Sequence, residues 1–148
     1  MYFVDRKRID DVLSNMEELT HFLMNEKAPE DMRGKLSLER AVNVLIESII
    51  DVGNQLIDGF IMRDPGGYED IIDILEDEKV ITSSDGESLK VVIRLRKPLA
   101  YEYTTIDHQA LYEDVNNQLE SLKQFPQHVQ VYLKNELGVI TAFIPEEK

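Results

Sequence analysis

The apolar residues of this chain recur every three or four positions over long stretches, and that spacing places them on one face of an α-helix. The longest stretch predicts a helix from about residue 36 to residue 62, which would be about 40 Å long at 1.5 Å per residue. A stripe this wide is more than one neighbouring helix would cover, so the sequence predicts a homodimer. The stripe consists of Leu38, Val42, Leu45, Ile49, Val52 and Leu56, widened by Ile46, Ile50, Ile57 and Ile61.

Gly53 lies inside this predicted helix. Glycine in a helix interior costs about 1 kcal/mol relative to alanine, unless the missing side chain lets a second helix approach closely. We therefore expect a close helix crossing at Gly53.

The other segments predict the remaining helices of an antiparallel bundle, so the fold class is all-α with five to six helices. The first helix spans about residues 4–26, and a short one follows the turn at 63–67. Ser84 and Glu87 have capping-box spacing, which starts a fourth helix, and Pro98 is expected to bend or end it near Lys97. Two more helices are predicted at 107–125 and at 126–138, with Pro126 opening the second.

The last ten residues differ in pattern from the rest. Residues 139–144 read as an isolated β-like run, which we expect to pack as an extended arm rather than to join a sheet. The sequence thus divides into a helical domain at 1–138 and a C-terminal tail at 139–148.

The composition excludes several classes of site. With no cysteine and three scattered histidines, the chain offers neither a disulfide nor a thiolate zinc site, and we expect no metal and no cofactor. A net charge of −13 opposes general affinity for nucleic acid, so DNA is not expected as a partner, and RNA would require a local basic patch. No apolar stretch is long enough to span a membrane, and we expect a cytoplasmic protein without membrane contact.

The fourth predicted helix carries an arginine within its apolar stripe. Leu89, Val92 and Ile93 continue onto Arg96, and arginine is rarely buried without a partner. Arg96 is therefore expected to meet a carboxylate, a phosphate or the groove of a dimer, either as a structural ion pair or in a functional role. The densest basic cluster of the chain surrounds it, and consists of Lys90, Arg94, Arg96 and Lys97.

The segment that follows resembles a known motif. Residues 95–103 read Leu-Arg-Lys-Pro-Leu-Ala-Tyr-Glu-Tyr, which is similar to the signature Leu-Arg-Asn-x-Leu-Val-His-x-Tyr of the HepT-like branch of the HEPN superfamily. The segments 38–41, 51–54 and 65–70 also resemble sequences of this family, so the resemblance covers most of residues 36–107. The chain departs from the signature at Tyr101, which stands where the family has histidine.

This resemblance implies a dimeric helical ribonuclease that acts as a toxin, paired with an MntA-type nucleotidyltransferase antitoxin that adds AMP to the tyrosine of the motif. It implies that Arg96 holds the RNA phosphate and that Tyr103 is the modified tyrosine. Tyrosine, with a pKa of about 10, is a poor general base near neutral pH, whereas histidine is a good one. With Tyr101 at the catalytic position, the motif predicts ribonuclease activity that is weak or lost.

Two further questions stay open at the level of sequence. Glu47 and Asp51 share a polar stripe of the long helix, which is either a solvated face or the surface that pairs with Arg96. His108 lies twelve residues after Arg96 and is either a substitute base or a solvent-facing histidine. The alternative function is a non-catalytic helical dimer that binds a nucleotide or a nucleotidyltransferase-type partner.

Overall fold

The computed structural model describes residues 4–141, with side chains described as far as residue 137. The regular secondary structure of this part of the chain is all helical, with no strand, so the predicted all-α class is confirmed. Its helices are α1 Arg6–Met24, α2 Met32–Gly59, α3 Tyr68–Asp77, α4 Ser83–Arg94, α5 Arg96–Tyr101, α6 His108–Asn116 and α7 Leu119–Thr141. Only Leu95 separates α4 from α5, and counting them as one bent helix gives six.

Short polar side chains fix where two of these helices begin. Asp31 accepts a hydrogen bond from the Gly34 amide at 2.8 Å, so α2 starts four residues before the predicted position. Thr82 accepts one from the Asp85 amide at 3.1 Å, so it caps α4. The predicted capping box at Ser84 is therefore wrong, because the cap lies two residues earlier.

The predicted break at Pro126 is also wrong. The chain breaks at Asn117 and Gln118 instead, and Pro126 lies inside α7. A proline in a helix interior costs about 3 kcal/mol, but here the residues on both sides form one continuous buried stripe whose burial offsets that cost. The stripe comprises Leu119, Leu122, Phe125, Val129, Leu133 and Leu137.

The helix also continues past its predicted end at Gly138, as far as Thr141. The first three residues of the predicted extended arm are thus helical. The rest of it, from residue 142, lies outside the described residues, and the division into domain and tail stays a prediction.

Helix α2 is the centre of the bundle. It packs against α1, α3, α4, α5 and α6, while α7 covers the other side of α1 and also contacts α4. These neighbours bury Ile46, Ile50 and Ile57, which widen the apolar stripe, within the single chain. Only Ile61, which is 75% exposed, remains outside. The width of the stripe therefore does not require a second subunit, and the homodimer stays a prediction.

The close crossing expected at Gly53 is confirmed. A β-carbon placed on Gly53 would lie well under 3.0 Å from Ile71 Cγ2 of α3, a distance that real β-carbons do not show. The glycine thus lets α3 lie directly on α2. Among the described residues, no helix is long and apolar enough to cross a membrane.

Candidate functional site

Arg96 is the first residue of α5, and its side chain turns back onto α2. Its Nε donates a hydrogen bond to Glu47 Oε1 at 3.0 Å, and its guanidinium carbon lies 4.5 Å from the centre of the Tyr68 ring. The side chain is 29% exposed. Carboxylate and ring together hold the guanidinium in one orientation, since the first fixes its Nε edge and the second supports one face.

The rest of the guanidinium remains available. Among the described residues, neither Nη group of Arg96 makes a hydrogen bond. The hydrogen bond to Glu47 raises the pKa of Arg96 above its ordinary value, with Tyr68 and Tyr101 adding to the effect and burial opposing it. The group is therefore a permanent cation that presents free donors to an anion such as a phosphate.

Asp51, the other carboxylate considered as a partner of Arg96, is used elsewhere. It accepts hydrogen bonds from Arg8 of α1, at 2.7 Å from Nη2 and 3.2 Å from Nε. Since Asp51 lies one helical turn beyond Glu47, it reaches α1 rather than α5. This contact ties the first two helices together, and Asp51 does not touch Arg96.

The two tyrosines of the motif point away from the bundle. Tyr101 ends α5 and is 71% exposed, and Tyr103 lies in the following turn and is 69% exposed. Neither hydroxyl makes a hydrogen bond within the described part of the chain. Both rings are thus accessible to a partner, a modifying enzyme or a substrate.

The basic cluster seen in the sequence is largely neutralised. Lys90 pairs with Asp73 of α3, and Arg94 pairs with Glu69 at 2.8 Å. Of the four cations, Lys97 alone makes no ion pair with another described residue. The surface around Arg96 is therefore not the basic patch that the sequence suggested.

The histidines lie in separate places. His108 begins α6, and its Nε2 lies 2.6 Å from Glu39 Oε2 of α2, with the imidazole only 18% exposed. It is not the solvent-facing histidine considered from the sequence. Glu39 lies eight residues before Glu47, about 12 Å along the helix axis, so His108 anchors the chain two turns away from Arg96.

His128 of α7 faces a different part of the bundle. Its Nδ1 lies 3.3 Å from Asp85 Oδ2, within ion-pair distance but without the alignment of a hydrogen bond. His21 lies on the exposed side of α1. In the described part of the chain, no three histidine, aspartate or glutamate side chains are grouped as ligands for a metal ion.

Sequence reasoning missed Tyr68 as a member of this site. Tyr68 belongs to a stretch, 65–70, that resembles the HepT-like family, but nothing in its spacing indicates that it lies under Arg96. The missed contact of His108 with Glu39 joins residues 69 positions apart, and it too has no local signal.

Comparison with known proteins places this geometry in a family. The model of the ribonuclease HepT-like family matches residues 9–129, which include Arg96, Tyr101 and Tyr103. The chain belongs to the HepT-like family. The fold is that of HEPN proteins, and the correspondence of residues 95–103 to the family's signature stays a prediction.

One relative matches along nearly the whole chain. The Bacillus subtilis (strain 168) protein named "Putative RNase YutE" is 43% identical over 143 residues, which cover 97% of this chain and 99% of that protein. The solved structure of YutE, described as a cytosolic protein of unknown function, matches with a TM-score of 0.90 over 93% of this chain and 96% of YutE.

More distant HepT-like folds come from toxin–antitoxin complexes. The MntA-HpeT complex matches with a TM-score of 0.73 at 16% identity, over 83% of this chain and 98% of the matched chain. The tri-AMPylated Shewanella oneidensis HEPN toxin, solved with its MNT antitoxin, also matches with a TM-score of 0.73. Its identity is 17%, and the match covers 83% of this chain and 96% of the toxin chain. At this level of identity the likeness shows the fold.

Proposed function

We propose that this HepT-like protein is the toxin component of a cytoplasmic toxin–antitoxin pair, and that it binds RNA phosphate through Arg96 but cleaves RNA weakly. The observation that carries the proposal is the state of Arg96. Glu47 and Tyr68 hold its guanidinium in place while both Nη groups remain free. A cation that is fixed in position but still has free donors suits the binding of a phosphate.

The proposed cleavage is weak because of the residue that stands at the position of the family's general base. Metal-independent cleavage requires a group that takes the proton from the 2′-hydroxyl. The 2′-oxygen then attacks the phosphorus to form a 2′,3′-cyclic phosphate, the bond from phosphorus to the 5′-oxygen breaks, and the 5′-oxygen leaves as a hydroxyl after taking a proton from water. Tyr101 stands in that position, and a phenol is a poor general base near neutral pH. Losing a positioned general base typically lowers the rate by about 10² to 10⁴.

An RNA cleavage assay with the purified protein tests this role of Arg96. We expect slow cleavage of RNA by the native chain, and none by Arg96→Ala. Arg94→Ala is the matched control, since Arg94 lies two residues earlier and pairs with Glu69 on the surface. Equal loss in both variants would indicate a general effect of surface charge and would contradict a specific role for Arg96.

The proposed partner is an MntA-type nucleotidyltransferase that attaches AMP to Tyr103. Support comes from the exposure of Tyr103 and from the related fold of a tri-AMPylated toxin bound to its antitoxin. Incubation with such an enzyme and ATP should add AMP to the native chain and not to Tyr103→Phe, as read by peptide mass spectrometry. Tyr112→Phe, whose hydroxyl donates to the Glu26 carbonyl, is the control. Unchanged modification of Tyr103→Phe would show that another residue is the target.

The proposal includes a homodimer. Exposed apolar side chains at Met32, Leu36 and Ile61 along and just beyond α2 provide surface for it. Light scattering after size-exclusion chromatography should give twice the mass of the chain. A monomer at all concentrations would remove this part of the proposal.

A second candidate function is a non-catalytic helical dimer that binds a nucleotide or a nucleotidyltransferase-type protein. The pairing of Lys90, Arg94 and Arg96 with carboxylates favours it, because a neutralised surface attracts RNA weakly. A stable complex with the nucleotidyltransferase, together with no cleavage even when the motif histidine is restored, would select this candidate.

A further inference from the structure

Two arginines in the first half of α2 are unpaired, unlike the cations on α4. Arg33 and Arg40 are exposed, and within the described part of the chain neither forms an ion pair with a carboxylate. Arg40 donates from Nη1 to the neutral amide oxygen Oδ1 of Asn43, at 3.1 Å. Lys90 and Arg94, by contrast, are neutralised by carboxylates of α3. RNA requires unpaired cations, and α2 provides two of them.

The two arginines share one stripe of α2 with the carboxylate that holds Arg96. Residues seven positions apart on an α-helix differ by only about 20° around the axis and lie about 10.5 Å apart along it. Arg33, Arg40 and Glu47 follow one another at this spacing. At the end of the line, Glu47 Oε1 accepts a hydrogen bond from Arg96 Nε at 3.0 Å. The stripe thus extends for about 21 Å from the contact of Arg96 toward the N-terminus of α2.

This stripe is free of the acidic charge that dominates the rest of the chain, whose net charge is −13. Its one carboxylate, Glu47, is paired with Arg96. Glu39, on the neighbouring face of the helix, is engaged by His108. The remaining positions of the stripe are uncharged and comprise Leu36, Ser37, Asn43 and Val44. Two positive charges therefore stand together, at about the distance over which physiological salt screens them.

We propose that Arg40 and Arg33 bind further phosphates of a single RNA strand that runs from Arg96 along α2 toward its N-terminus. The inference rests on the proposed function, and it names the path of the RNA outside the motif. A polymer with a charge on every unit suits cations that repeat along a straight helix, whereas a folded acidic protein presents no such regular line. Contacts to phosphate fix the register of the strand without reading its sequence.

The dependence of RNA affinity on salt measures these contacts. Each phosphate neutralised on a single strand contributes about −0.7 to the slope of log K against log salt, which amounts to about fivefold in affinity at about 0.1 M salt relative to 1 M. Arg33→Gln and Arg40→Gln should therefore each make the slope shallower by about 0.7 and weaken binding about fivefold. Because the two sites are about 10.5 Å apart, the effects should multiply in the double variant, to about 25-fold.

The probe is a labelled ten-nucleotide oligouridylate whose 2′-oxygens are methylated, so that it binds without being cleaved. Even with its bases stacked at about 3.4 Å per nucleotide, it is longer than the stripe of about 21 Å. A dinucleotide of the same chemistry is too short to join Arg96 to Arg33. Its binding, measured like that of the longer strand by fluorescence anisotropy, should depend on Arg96 and not on Arg33.

Lys123→Gln and Lys134→Gln are the matched controls. Each removes one positive charge from an exposed lysine of α7 that makes no ion pair with another described residue. Helix α7 packs on α1 and α4 rather than along the stripe. Both control variants should bind the oligouridylate with the affinity and salt slope of the native chain. Thermal unfolding of all the variants checks that each is folded.

Three results would overturn the inference. Arginine variants that bind RNA like the lysine controls, while Arg96→Ala loses binding, would reject the path along α2 and leave the proposed function standing. A native chain that binds neither oligonucleotide would reject the path and the proposed function together. Variants of Arg33 and Arg40 that keep RNA affinity but lose a nucleotidyltransferase partner, or fall to half the mass in light scattering, would assign these arginines to a protein interface.

Discussion

Replacing Gly53 with alanine should destabilise the protein, although alanine is the better helix former. The new β-carbon would overlap Ile71 Cγ2, which belongs to a buried, β-branched side chain with little freedom to move. Overpacking of this kind costs about 1 to 3 kcal/mol, and the gain in helix propensity returns up to about 1 kcal/mol. The net loss is about 1 kcal/mol, or a thermal midpoint roughly 3 °C lower for a chain of this size.

Gly86 provides the matched comparison within the same molecule. A β-carbon there would also lie well under 3.0 Å from a neighbour, but that neighbour is Glu76 Oε1, the far end of a flexible side chain. Glu76 can swing away, so Gly86→Ala should gain up to about 1 kcal/mol from propensity. The same substitution at these two glycines, where the added β-carbon meets a similar overlap, should thus change the free energy of unfolding in opposite directions.

Thermal and urea unfolding of both variants at one fixed protein concentration measures these changes. Ile71→Leu removes the Cγ2 branch while keeping the volume, so it should relieve most of the strain when combined with Gly53→Ala. The reasoning is refuted if Gly53→Ala is as stable as the native chain, or if the double variant shows no favourable coupling.

Three further substitutions test other contacts. Thr20→Val should stabilise the protein by about 1 kcal/mol in urea unfolding, since Thr20 is buried and its hydroxyl has no partner among the described residues. Ser48→Ala should destabilise it, because it removes a hydroxyl that donates to the Val44 carbonyl. Free energies of unfolding that change in the same direction in both variants would contradict this. Hydrogen bonds from Arg63, and then from the Gly66 amide, lower the pKa of Asp70 well below 3.8, so its contribution to stability is present above pH 3.8 and lost as the pH falls below it. Asp70→Asn should therefore lower the thermal midpoint at pH 7 but converge with the native chain in acid, and a constant difference would contradict the assignment. Glu47→Gln should weaken RNA binding several-fold by loosening Arg96, and an unchanged affinity would show that Glu47 does not orient it.

The sequence predicted the helical class and the long central helix because both follow from local apolar periodicity. It failed at Thr82 and at Pro126, where rules for single residues competed with packing. Pro126 stays in α7 because the stripe that includes Leu122 and Phe125 is buried on both sides of it. That burial depends on tertiary partners, which local pattern does not reveal.

The site was predicted in part for the same reason. Arg96 was expected to meet a carboxylate, a phosphate or the groove of a dimer, because a guanidinium in an apolar stripe is rarely buried without a partner, and it meets the carboxylate of Glu47. Which carboxylate it meets depends on how α5 lies across α2. From spacing alone, Glu47 and Asp51 were equally good candidates. The neutralisation of Arg94 by Glu69 likewise depends on the packing of α3 against α4, and so the basic cluster looked stronger in sequence than it is in the fold.

The most direct test of the account is the ribonuclease rate of Tyr101→His, measured beside the native chain and Tyr101→Phe. If the site keeps its phosphate-binding arginine and lacks only the base, the histidine should raise the rate by about 10² to 10⁴, with a pH dependence near the pKa of an imidazole. Tyr101→Phe should stay at the native level or below it. A histidine variant that cuts no faster than Tyr101→Phe would contradict the central claim that this is a HepT-like ribonuclease site weakened at one residue.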